Sequence, residues 1–139
     1  MRKTGVLLSL FLIGVVAGAV YHFTIKGEVE VSKSDLELSQ QSFMVELKTG
    51  TTYIKEITIT NYGGEKEIYF EFAVEGPNPE AVDVEVHDIY GKKISSKNKL
   101  SIPAGTEENP SKVTINIHVT AKENAEAGEY TVYVMAKET

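Results

Sequence analysis

Five stretches of this chain alternate apolar and polar residues with a period of two, and that pattern restricts the fold more than any other feature. Ile57 and Ile59 alternate with Thr58 and Thr60. Ile68, Phe70, Phe72 and Val74 alternate with Glu67, Tyr69, Glu71 and Ala73. Val82, Val84 and Val86 alternate with Asp83, Glu85 and His87. Val113, Ile115, Ile117 and Val119 alternate with Thr114, Asn116, His118 and Thr120. Tyr130, Val132, Val134 and Ala136 alternate with Thr131, Tyr133, Met135 and Lys137. Successive side chains of an extended chain point to opposite faces, so each stretch predicts a strand with one buried and one wet face. Weaker strand signals lie at 28–31, 43–47 and 99–102. Turn residues separate the runs: Lys48-Thr49-Gly50, Asn61-Tyr62-Gly63-Gly64, Gly76-Pro77-Asn78-Pro79, Tyr90-Gly91, Pro103-Ala104-Gly105 and Ala127-Gly128. Asn61 and Gly63-Gly64 are residue types that accept positive φ at little cost. No segment beyond Lys26 has a helical period, and 124–128 offers one turn at most. Seven to eight short strands of this kind predict an all-β fold, an antiparallel β-sandwich of two sheets packed face to face. A small closed barrel is the second arrangement.

The first 25 residues follow a different rule. Val6, Leu7, Leu8, Leu10, Phe11, Leu12, Ile13, Val15, Val16 and Val20 dominate a stretch with no charge between Lys3 and Lys26. As a helix, residues 6–23 would span about 27 Å, enough for a bilayer core. Arg2 and Lys3 precede it, which puts the N-terminus in the cytoplasm and everything after Lys26 outside. Tyr21, His22 and Phe23 would then sit at the outer interface. The reading is therefore two domains. Residues 1–25 form a membrane anchor helix, single-pass, and 26–139 form the extracytoplasmic sandwich. Two other fates compete. Ala17-Gly18-Ala19 has the small residues of a signal-peptidase site, giving a secreted protein that starts at Val20. Lys3-Thr4-Gly5 before the apolar run resembles the signal of type IV pilin-like proteins, cut after Gly5, although Leu10 stands where those proteins commonly carry an acidic residue.

Charge divides at the same boundary. With Arg2 and Lys3 set aside, 12 lysines face 20 acidic residues, a net of −8 on the outer part. Nucleic-acid binding rests on neutralising phosphates with Lys and Arg, so a nucleic-acid partner is not expected. Cysteine is absent, which excludes disulfides, thiol nucleophiles and cysteine-ligated metals. The core must hold the domain without staples. Beyond residue 2 every basic residue is Lys, set among abundant Glu, a bias also found in hyperthermophile proteins.

Several motifs resemble those of NEW3-type (NPCBM-associated) immunoglobulin-like domains of archaeal and bacterial envelope proteins. Ile57-Thr58-Ile59-Thr60-Asn61-Tyr62-Gly63 is similar to that family's "TVTNTG" strand and turn. Ile102-Pro103-Ala104-Gly105 followed by 112–120 is similar to "LAPGES…VTVTVTVP". Ala125-Glu126-Ala127-Gly128-Glu129-Tyr130-Thr131-Val132 is similar to "AEPGTYTVTV", and Lys48-Thr49-Gly50-Thr51 stands where the family has "KPGET". The family's "GW" after the third strand is replaced by Gly76-Pro77-Asn78. The resemblance implies an immunoglobulin-like sandwich that serves as spacer, adhesive or scaffold, with no catalytic residues to carry over. Tyr130 would act as an analogue of the tyrosine corner of such sandwiches.

Little in the chain suggests chemistry. His87 and His118 fall on the polar faces of their strands, and could approach one another only if those strands were adjacent. Two solvated histidines are the plainer expectation, and no metal or cofactor is expected. Ser34, Ser39, Ser42, Ser95 and Ser96 lie in segments without a histidine, and no G-x-S-x-G elbow occurs. Glu107 and Glu108 share a loop after a Pro-Ala-Gly turn, as solvated carboxylates do. No enzyme activity and no small-molecule substrate are expected. The loops richest in binding potential are 76–80, with Pro77 and Asn78, and 89–98, with Lys92, Lys93 and Lys97. The expected function is a membrane-tethered binding or scaffold module contacting envelope proteins or glycans. The alternative is a pilin-like or archaellum-accessory filament component assembled through its N-terminal helix.

Overall fold

The computed structural model describes residues 35–40 and 45–138 in full, and the backbone course of 6–17 and 24–29. The fold is all-β, with two antiparallel sheets. The strands are β1 (Val6–Ala17), β2 (Thr24–Val29), β3 (Leu36–Leu38), β4 (Thr51–Asn61), β5 (Lys66–Glu75), β6 (Val82–Asp88), β7 (Leu100–Ile102), β8 (Ser111–Ala121) and β9 (Gly128–Glu138). One sheet has the order β3-β4-β8-β6. The other contains β9-β5-β7, extended along β9 by β1 and then β2. From β4 to β9 every connection crosses from one sheet to the other, so neighbours within a sheet are distant in sequence.

All five alternating runs are strands, and their apolar sides form the core. Ile57, Ile59, Val82, Val86, Ile115, Ile117 and Val119 from one sheet meet Ile68, Phe70, Tyr130, Val132, Val134 and Ala136 from the other. Two packed inner faces remove enough apolar surface from water to hold a cysteine-free domain, at roughly 25 cal/mol per Å² of apolar surface. The strand expected at 99–102 is β7. At 43–47 the expected strand is not formed within the described part: 45–48 runs as irregular chain, although Leu47 is buried. β4 begins six residues before its alternating run. Lys55 occupies an inward position there and masks the period.

The segment expected to be a helix enters the structure differently. Over Val6–Ala17 the backbone is extended, pairing with β9 from Ala17↔Gly128 to Leu10↔Met135. A run rich in Val, Leu, Ile and Phe suits a strand as well as a helix when β9 offers an unpaired edge. Residues 1–5 and 18–23, the remainder of that expected helix apart from Thr24 and Ile25, lie outside the described residues. Among the described residues no helix is long and apolar enough to cross a membrane.

Each end of the sandwich is closed by one polar or aromatic group. At one end Asn61 is fully buried. Its Nδ2 donates to the carbonyls of Gly64 (2.8 Å) and Pro103 (2.9 Å), and its Oδ1 accepts from the Gly63 N–H (3.0 Å). The turn is therefore held by a side chain. No described non-glycine residue has positive φ, and neither Gly63 nor Gly64 does, so the left-handed turn conformation expected there is not used. Gly105 completes the knot: a Cβ on it would lie 2.2 Å from the Asn61 carbonyl oxygen, which is impossible without moving backbone. At the opposite end the fully buried Tyr130 donates its hydroxyl to the Glu126 carbonyl at 2.8 Å. Its ring lies over Gly76, where a Cβ would come within 2.3 Å of the ring and where φ is +153°.

Candidate functional site

β6 and β8 are adjacent, and their register puts Glu85 directly across from His118. His87 lies two residues beyond Glu85 on the same wet face. Cross-strand partners have Cβ atoms about 5 Å apart, and the twist of a sheet draws one diagonal closer. Here that diagonal joins the two histidines. Their rings stack with centroids 4.0 Å apart and planes 20° apart. The condition on which the sequence made an approach depend, adjacency of the two strands, is thus met.

The pair is anchored on one side. His87 Nε2 lies 2.9 Å from Glu85 Oε1. An ionised carboxylate only accepts, so Nε2 carries the proton and donates. The other carboxylate oxygen, Oε2, faces Lys93 Nζ at 3.6 Å. Lys93 reaches this point because the chain turns back after β6. The Asp88 carboxylate accepts the N–H groups of Tyr90 and Lys92, both at 2.9 Å, and His87 bridges to Lys93. Removing that carboxylate, as in Asp88→Ala, is expected to cost about 1 kcal/mol in urea unfolding and to loosen Lys93 from Glu85. A crosspeak between Lys93 and Glu85 in NMR spectra would report the second effect.

The hydrogen bond from His87 holds the Glu85 carboxyl below the usual carboxylate range, with help from Lys93. Burial, and then the neighbouring His87, push His118 below its ordinary value of 6.5. Both shifts have the same consequence on acidification. A histidine whose folded pKa lies below 6.5 is protonated more readily in the unfolded chain, so stability falls as pH drops below about 6.5. Glu85 adds a second loss at lower pH, below about 4.5, as its folded carboxylate is finally protonated. Thermal unfolding in chelator-containing buffer should therefore give a falling Tm between pH 7 and 5. His118→Gln should flatten that fall.

The sequence-predicted loops separate in space. Pro77 and Asn78 lie on the connection from β5 to β6, at the Tyr130 end. Pro77 packs against Gly128, and Asn78 Nδ2 donates to the Asn124 carbonyl at 3.0 Å. Lys92, Lys93 and Lys97 lie on the connection from β6 to β7, which runs toward the Asn61 end. Lys92 and Lys97 are exposed, and Lys93 belongs to the histidine site. Ile89 and Tyr90, 59% and 88% exposed, open this connection, within the loop 89–98 that the sequence singled out, although neither was named there as a binding residue. Of the ten residues expected to dominate a membrane segment, Val6, Leu7, Leu8, Leu10, Phe11, Leu12, Ile13, Val15 and Val16 lie on β1, and Val20 is outside the described residues.

These features define a class: a small two-sheet β protein with an apolar N-terminal segment and a polar cluster on one wet face. Among known proteins, the chain is 44% identical to an uncharacterized protein of Archaeoglobus fulgidus over 136 residues, covering 98% of this chain and 96% of that protein. The chain belongs to the same family as that archaeal protein. No family model matches it, and no solved structure matches it.

Proposed function

We propose that this protein is a non-enzymatic, membrane-tethered module of the cell envelope. Its β-sandwich is of the immunoglobulin-like, NEW3-type kind, held outside the membrane to contact other envelope proteins or glycans. The observation that carries the reading is the pairing of a charge-free stretch at 6–23, preceded by Arg2 and Lys3, with an acidic sandwich that carries all 20 acidic residues. Both alternation sets of Val6–Ala17 are apolar, Leu8, Leu10 and Leu12 in one and Leu7, Phe11 and Ile13 in the other. A strand with two apolar faces suits a two-sheet sandwich poorly, because one face of each sheet is wet. In a bilayer a lone strand leaves its backbone groups unsatisfied, so the same segment would wind into a helix.

The fold also supports a division of the sandwich into two ends. The chain comes into the sandwich at Asp35 and Leu36, beside Asn61, where Lys66 pairs with Asp35 at 3.3 Å. That end faces the tether. The end with Pro77, Asn78 and Tyr130 points away from it and is available to a partner. Withdrawing β1 into the membrane also uncovers the edge of β9, along which a partner strand can add.

The test is the N-terminal residue of the mature protein, read by mass spectrometry of membrane and soluble fractions from the native host. A start at Met1 in the membrane fraction supports the tethered module. A start at Val20 in the soluble fraction makes it a secreted domain. A start at Val6 overturns the tether in favour of a pilin-like or archaellum-accessory filament subunit, with the apolar segment as its assembly surface.

A further inference from the structure

We infer that the outer edge of β9 is a strand-accepting site, covered in water by residues 6–17 of this same chain and opened when that segment enters the membrane. The opening rests on the tethered-module reading; the acceptor site itself does not. The inference starts from the edges of the two sheets. With β1 and β2 set aside, four strands are edges: β3 and β6 in one sheet, β7 and β9 in the other. A bare edge presents unpaired N–H and C=O groups, and proteins guard it with short strands, covering chain, lysine, proline or bulges. β3 and β7 are three residues each. The outer side of β6 is covered by the chain that returns after it. There the Ile94 N–H donates to the Val86 carbonyl at 2.8 Å, and the Asp88 N–H to the Lys92 carbonyl at 2.9 Å. β9 is 11 residues long. From Gly128 to Ala136 it contains no lysine and no proline, and its register with β5 runs without a shift from Thr131 to Glu138. The long edge of β9 therefore has no guard of its own.

β1 supplies the guard. Residues Leu10 to Ala17 pair antiparallel with Met135 to Gly128 in one unbroken register. Phe11, Ile13 and Val15 are the register partners of Val134, Val132 and Tyr130, whose side chains are fully buried between the sheets. Leu10, Leu12 and Gly14 are the partners of Met135, Tyr133 and Thr131, which lie on the opposite face of β9. The site thus takes an extended segment that runs antiparallel to β9 and has β-branched or aromatic residues at every second position. Main-chain hydrogen bonds supply the affinity of such a site and the alternate side chains its specificity. In water the cover pairs the backbone of β9 and keeps unanchored copies from joining edge to edge. In a bilayer a lone strand is not viable, so the segment leaves as a helix and bares the edge on the outer side.

The chain has no cysteine, so one engineered disulfide reads the cover directly. In the full-length Leu12→Cys/Tyr133→Cys variant the two positions are register partners. Mild oxidation is expected to cross-link them in lipid-free buffer and to leave them reduced after reconstitution into phosphatidylcholine–phosphatidylglycerol vesicles. The Leu12→Cys/Glu129→Cys pair, which is out of register, should stay reduced in both. The probe for the bared edge is a peptide of residues 6–17 with lysines added at both ends. Given to the wild-type protein in vesicles, it should slow hydrogen exchange of the β9 amides at 130–135. Its Ile13→Pro form, which lacks a backbone donor, should not. The disulfide-locked protein should not bind the peptide, and the peptide measurement on wild type needs no variant of the protein. Failure to cross-link in lipid-free buffer overturns the inference and leaves the tether standing. So does a cross-link that is lost in vesicles without any protection of β9 by the peptide. A cross-link that forms equally well in vesicles overturns the tether and, with it, the opening of the edge.

Discussion

Replacing Tyr130 by alanine is expected to destabilise the sandwich by about 3 to 5 kcal/mol, the range for emptying a large aromatic site in a core. Tyr130 is the largest fully buried side chain among the described residues. Its ring closes one end of the space between the sheets, over Gly76, where the backbone has no side chain to fill the vacancy. A domain of this size has a total stability of only about 5 to 15 kcal/mol, so the loss is a large fraction of it. Tyr130→Phe keeps the ring and removes only the hydroxyl bond to the Glu126 carbonyl. That change should cost about 1 kcal/mol, as loss of one neutral hydrogen bond does. Urea unfolding of the three proteins, followed by circular dichroism, checks both values. Equal losses for Phe and Ala would mean that the hydrogen bond, and not the packing, holds this end.

Asn61→Ala should cost about 2 to 4 kcal/mol at the opposite end, for a different reason. Little apolar area is lost. Instead the carbonyls of Gly64 and Pro103 and the N–H of Gly63 each lose their hydrogen bond to a fully buried side chain, and the tie between the two turns goes with it. Asn61→Asp sharpens the test. Aspartate is isosteric, but its ionised carboxylate cannot donate to the two carbonyls. Burial beside carbonyl oxygens raises its folded pKa, so the penalty is largest above that pKa and is relieved as pH falls and the carboxyl protonates. The Asn61→Asp variant should therefore grow more stable relative to wild type on acidification. A deficit that is the same at pH 7 and pH 4 would show that donation by Asn61 Nδ2 is not what holds the knot.

These two ends were unequally visible in the sequence. Tyr130 begins an alternating run and follows a Gly-Glu turn, so its place on an inner face could be read directly. Asn61 lies in a turn-rich stretch where asparagine usually serves the backbone through positive φ or a local side-chain bond. Two of its bonds are of that local kind, to Gly63 and Gly64. The third reaches Pro103, 42 residues away, and only the second sheet brings Pro103 within reach. The same limit applies to the histidine site. His87 and His118 are each legible as wet-face residues of good strands, but their stacking depends on β6 lying beside β8.

What the sequence determined by itself is the five alternating strands and β7, the buried side of each alternating strand, the turns between them and the apolar character of the segment at the start. All of these follow from local periodicity, because side-chain direction in an extended chain is set by the chain itself. Which strands are neighbours was decided only by the tertiary structure. Every connection from β4 to β9 crosses between sheets, so no turn among them joins two strands that pair. Pairing then depends on how two apolar faces pack as wholes, and that global condition leaves no mark at any single position. The wet-face cluster of Glu85, His87 and His118, the opposite placement of the loops 76–80 and 89–98 and the burial of Asn61 all descend from it.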